Sequence, residues 1–129
     1  MATAHGTFDV KMTPIAGEDA TGGDAIGRMS IAKQFHGDIE GTSKGQMIAH
    51  MTKVQGSAGY VAMEIVTGTL AGRKGTFVMQ HNATMAHGSQ HLNIIVIPDS
   101  GTGELAGLSG SMQIIIADGK HSYEFDYSL

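Results

Sequence analysis

The chain has 129 residues, no cysteine, and 8 Lys+Arg against 12 Asp+Glu. That length suits one domain over residues 1 to 129 with a single core, and the missing thiol excludes a disulfide framework, a thiolate nucleophile and a cysteine-ligated metal, which fits a cytoplasmic setting. The scattered basic residues form no stripe of the kind nucleic acid needs, and no apolar run has the length of a signal-peptide core or a membrane span, so neither nucleic acid nor a membrane is expected as a partner.

Taken in chain order, the segments FDVKM (8 to 12), RMSIAKQF (28 to 35), KGQMIAHMTK (44 to 53), GYVAMEIVTGTL (59 to 70), GTFVMQHNATM (75 to 85), HLNIIVI (91 to 97), SMQIIIA (111 to 117) and HSYEFDYSL (121 to 129) alternate or carry β-branched residues. Each is predicted to be a strand, and no capped helix-period segment stands between them. Residues 15 to 25, IAGEDATGGDA, read as a polar glycine-rich loop. GTGELAGLSG (101 to 110) reads as a glycine-rich hairpin connection, because it lacks the Lys-Ser/Thr and the helix that a phosphate loop requires. An all-β fold with about eight antiparallel strands and no covering helix is expected to close into a barrel, which removes exposed edges. A two-sheet sandwich is the competing architecture. Nineteen glycines suit tight turns, and nine methionines suit an adaptable apolar interior.

Two-residue turns fix strand register, and a one-residue slip would swap faces. A turn at Gly72-Arg73 sets Glu64 opposite His81. One at Gln55-Gly56 sets Met51, Ala49 and Met47 against Tyr60, Ala62 and Glu64. Turns at His87-Gly88 and Asp118-Gly119 pair His81 with Ile94, Met79 with Val96, Ile114 with Tyr123 and Met112 with Phe125. All four agree on one inner face, which includes Phe8, Val10, Met12, Met47, Met51, Tyr60, Glu64, Phe77, Met79, His81, Leu92, Ile94, Ile116, Tyr123 and Phe125. A two-residue turn at Gly37-Asp38 would put Phe35 on the wrong face, so an odd-length loop or a bulge is predicted there. Ile48, Val61, Met63, Ile65, Ile95, Ile97 and Ile115 fall on the outer face, and such a patch predicts a homo-oligomer, dimer or trimer.

Glu64 is a carboxylate on a mainly apolar inner face, costly unless paired or neutralised. Beside His81 it forms a candidate general acid/base dyad whose protons titrate together. Tyr60, four residues earlier on the same face, is placed to donate a hydrogen bond to a bound carbonyl or oxyanion. A buried pair that only fixes register, and simple ligand binding, are the other readings of the same residues. The seven histidines do not make a metal site, since His81 points in, His50 and His91 point out, and His87 lies in a turn. No cofactor is implied.

The stretches GTFDVKMTP, QFHGDIEGTSKGQM, GSAGYVAMEIVTGTLAGRKGTFVMQH, PDSGTGELAGLSGSM and DGKHSYEFDYSL together resemble the bacterial domain-of-unknown-function family DUF3224, nearly end to end. The resemblance implies a fold similar to the calycin-like eight-stranded barrel of allene oxide cyclases and of bacterial spirotetronate-forming cyclases, which close rings on apolar polyenes by shaping them in a barrel cavity. Tyr60, Glu64, Gln80 and His81 match the family pattern. No residue-by-residue match to the cyclases' own catalytic residues is present.

The leading expectation is a barrel that binds a small apolar molecule in its lumen. Glu64, His81 and Tyr60 orient it, and Met47, Met51, Phe77, Met79, Gln80 and Tyr123 contribute to its binding. As an enzyme it would be a cofactor-independent isomerase or cyclase that works by steering its substrate. A non-catalytic carrier or sensor of hydrophobic metabolites, and a packed barrel without ligand, are the alternatives.

Overall fold

Along most of the chain buried and exposed residues alternate, so that each strand commits one face to the interior. In the computed structural model, which describes residues 1–15 and 26–129, this produces β1 (Ala2–Ile15), β2 (Gly27–Gly37), β3 (Ile39–Met51), β4 (Ala58–Leu70), β5 (Arg73–Ala86), β6 (Ser89–Val96), β7 (Ser109–Ala117) and β8 (Lys120–Ser128). Every strand pairs antiparallel with its sequence neighbours, and β8 returns to β1 to close an eight-stranded barrel. Most of the loop expected at residues 15 to 25 lies outside the described residues. The only helical element among the described residues is one 3-10 turn at Gly103–Leu105, and none of their helices is long and apolar enough to cross a membrane.

The interior is uneven along the barrel axis. The end that carries the β4–β5 turn and the β6–β7 connection is packed solid by Phe35, Ile39, Val66, Leu70, Phe77, Met79, Ile94, Tyr123 and Phe125. Leu105 and Leu108, buried in the connection, plug it from below. That connection clings to β5 through Ile97 N to Val78 O (2.9 Å), Thr102 N to Thr76 O (2.8 Å) and the Thr76–Thr102 hydroxyl pair (2.6 Å). The Tyr123 hydroxyl accepts from Ile39 N (2.9 Å) and donates to His36 O (3.1 Å), tying β8 to the β2–β3 turn.

Towards the other end the inward positions open to solvent. Met12, Met51, Met85 and Ile116 are 49%, 73%, 37% and 66% exposed, while Val10, Met29, Met47, Tyr60, Leu92 and Ile114 are half-buried. The lumen is thus a packed lower half under an open, methionine-rich cup. The wall is also discontinuous there: the only β6–β7 ladder pair among the described residues is Ile95 with Ser111.

Two of the expected turns differ from the structure. The β4–β5 turn is Ala71-Gly72, with positive φ at both residues (49° and 84°), not Gly72-Arg73. A type I′ hairpin turn takes glycine at its second central position, as His87-Gly88 and Asp118-Gly119 also do. The β3–β4 connection runs from residue 52 to 57, not through a two-residue turn at Gln55-Gly56. Both changes shift register by two residues, which preserves the faces and changes the partners: Glu64 faces Met79 and Gly45, Ala62 faces His81 and Met47, and Ala49 faces Tyr60. The turn after β2 has the odd length expected, with Phe35 opposite Gly41 and Asp38 at its apex.

Candidate functional site

Glu64 lies midway along β4, where the packed half of the lumen meets the cup, and is 1% exposed. Its position depends on the strand beside it: a Cβ added at Gly45 would lie 2.8 Å from Glu64 Cβ, so only glycine leaves the carboxylate's backbone room. His81, diagonal to it on β5 and 3% exposed, brings Nε2 to 3.3 Å from Glu64 Oε2. A diagonal pair of this kind is within reach for long side chains.

The closest partner of Glu64 comes from a strand that does not pair with β4. Lys33, on β2, is 8% exposed and sets Nζ 2.9 Å from the same Oε2. Its ammonium also stands 4.9 Å above the Phe8 ring and 5.8 Å above that of Phe35, a cation–π environment. The signal was present in RMSIAKQF, where Lys33 has the same parity as Ile31 and Phe35, the two apolar residues that turn inward.

Burial pushes the Glu64 carboxyl upward, but the His81 side chain and the charge of Lys33 outweigh it and hold the group below its ordinary value of 4.5. Glu64 is therefore a carboxylate at neutral pH. Both close contacts fall on Oε2, at ion-pair distance but without hydrogen-bond alignment. Among the described residues, Glu64 Oε1 and Oε2, His81 Nε2 and Ser43 Oγ are buried with no hydrogen-bond partner. Ser43 sits directly across from Lys33 on β3. Native interiors hold few such atoms, and each one calls for an explanation.

Tyr60 is on the cup side of this cluster, half-buried, its ring centroid 6.5 Å from that of His81. Burial, and then the Glu64 charge, raise its phenol, which stays protonated. Met47, Ala49, Met51, Tyr60, Ala83 and Met85 line a small cavity of about 100 Å³ just above. Of the other residues expected to meet a ligand, Phe77, Met79 and Tyr123 lie in the packed half. Gln80 is on the outer face between Met63 and Ile95. The structure thus brings Glu64, His81 and Tyr60 together with Met47 and Met51, and sets Met79 directly across from Glu64 on the packed side, with Phe77 and Tyr123 deeper in the packed half and Gln80 outside. No three His, Asp or Glu side chains converge among the described residues.

The chain matches no curated protein. A crystal structure of a protein of unknown function from the DUF3224 family of Shewanella oneidensis MR-1 is 48% identical, with a TM-score of 0.95 over 100% of this chain and 97% of that one. The model of the family described as proteins of unknown function, DUF3224, matches residues 4–127. Since that match takes in nearly every residue of the barrel, the chain belongs to the DUF3224 family.

Proposed function

We propose that the protein binds a small, mostly apolar molecule in the open half of its lumen, with the Lys33–Glu64–His81 cluster as the polar floor. The observation that carries this reading is the exposed apolar inner wall directly above buried polar atoms that lack partners. An empty barrel would gain by filling the first and satisfying the second. Methionine suits such a wall, because its unbranched thioether adapts to ligands of different shape.

A catalytic role is favoured by one feature, an ionised carboxylate next to an imidazole and a protonated phenol at the base of an apolar cup. This is the equipment of a cofactor-independent isomerase or cyclase that orients its substrate and moves one proton. A carrier needs the cup and not the cluster, so turnover lost with binding retained in His81→Ala separates the two. Kinship of fold with the allene oxide cyclases would agree with this role only by analogy.

We propose as well that the protein is a homo-oligomer. Its outer face carries Ile48 opposite Val61, with Met63 and Ile65 beyond them, and these four are 43% to 54% exposed. Contiguous apolar surface of this kind marks contacts.

Native mass spectrometry reads both proposals at once. The expected result is an oligomer that carries, or takes up, one small apolar molecule per chain. A bare monomer that stays bare after incubation with 1-octanol would contradict them.

A further inference from the structure

The polar floor constrains the ligand's chemistry beyond being apolar. This step rests on the binding reading above. The two Glu64 oxygens differ in their surroundings: the Lys33 ammonium and the His81 imidazole both approach Oε2 (2.9 and 3.3 Å), and Oε1 is buried with no hydrogen-bond partner among the described residues. The Lys33 and Glu64 charges cancel within 2.9 Å, so the floor is electrically balanced whenever His81 is neutral. An incoming carboxylate or phosphate would meet Glu64 with no uncommitted cation, and an incoming ammonium would meet Lys33. In a low-dielectric enclosure either mismatch is costly. What the floor lacks is a hydrogen-bond donor for Oε1, and a partner of either kind for the Ser43 hydroxyl.

We infer that the site recognises a neutral hydroxyl at one end of an otherwise apolar molecule, such as an alcohol or phenol, donated to Glu64 Oε1. The hydroxyl supplies what a buried water would supply, and the tail replaces solvent along the cup. Entry runs past Met47 and Tyr60, which line the cavity above the cluster. That cavity, about 100 Å³, admits the start of a chain; Lys33, Ser43, Glu64 and His81 do not line it, so the head group reaches Oε1 only once the Met47 and Tyr60 side chains give way. The remainder of the chain lies between the exposed Met51 and Met85.

The test is calorimetric titration with 1-octanol, octanoate and octylammonium at neutral pH, which share one tail. The expected result is that the alcohol binds at least ~10-fold more tightly than either ion, as a hydrogen bond to a charged acceptor implies. In Glu64→Gln the lone Lys33 charge should reverse the order in favour of octanoate. In Lys33→Met/Glu64→Leu, which leaves no buried ion pair to destabilise the fold, the alcohol's advantage should vanish. Equal binding of all three, or octanoate ahead in the unaltered protein, overturns the head-group assignment and leaves the cup standing. Failure of all three to bind overturns the cup as well.

Discussion

At the scale of single residues, the central feature is a carboxylate whose ionisation is held by two neighbours at a site where water cannot help. Removing one member strands the other: Glu64→Gln leaves a buried ammonium, Lys33→Met a buried carboxylate, and each should cost ~3–5 kcal/mol. Replacing both at once, Lys33→Met with Glu64→Leu, should restore most of that loss, since a buried pair is often no more stabilising than apolar side chains of similar volume. Urea unfolding of the four proteins measures the cycle; a double variant as unstable as the worse single one would contradict the pairing. The sign with pH follows from the lowered Glu64 carboxyl. Its contribution is complete above the ordinary value of 4.5 and is lost as pH falls through the lowered one. The parent should therefore lose stability in that acid range more steeply than the double variant. Glu64 and His81 were legible in the sequence because a charge and an imidazole interrupt apolar alternation on consecutive strands. Lys33 was not, although its own strand alternates plainly. Its face depended on the turn at residue 38, whose odd length could be inferred from Phe35 but was not carried back along β2.

Between strands, what the sequence could reveal was parity rather than partner. Every strand was legible from alternation and glycine punctuation, although β1 starts at Ala2 rather than Phe8 and β3 at Ile39 rather than Lys44. Four turns assigned the faces correctly even though two of them were misplaced, because each error was an even number of residues. The misplaced β4–β5 turn has a physical explanation in Ala71 at φ 49°, an alanine in a conformation that usually selects glycine, asparagine or aspartate. The weakest element contact is equally a matter of register. Above the Ile95–Ser111 pair, β6 and β7 share no ladder among the described residues, whereas β4 and β5 pair continuously from Ala58–Met85 to Leu70–Arg73. Amide hydrogens of β6 and β7 that point into their shared seam should exchange faster than those in the β4–β5 ladder. Equal protection on the two would contradict a loosened wall.

For the whole molecule, closure into a barrel was foreseeable from strand count and the absence of helices, but the division of the lumen was not. Eight strands enclose a space that side chains can just fill. Which half they fill depends on aromatic residues gathering at one end and on the β6–β7 connection folding Leu105 and Leu108 under it. Composition offered only a hint, nine methionines, and the structure distributes them usefully. Met12, Met29, Met47, Met51 and Met85 face the cup, Met79 and Met112 lie in the core, Met63 is outside, and Met1 is exposed at the first residue. Methyl-labelled methionine therefore gives a map of where a ligand sits, and titration with 1-octanol followed by carbon–proton correlation spectra is the most direct measurement. The Met47, Met51 and Met85 signals should move together and saturate, with Met63 and Met112 unmoved. Movement confined to Met63, or none at all, would contradict a binding cup above the Lys33–Glu64–His81 floor.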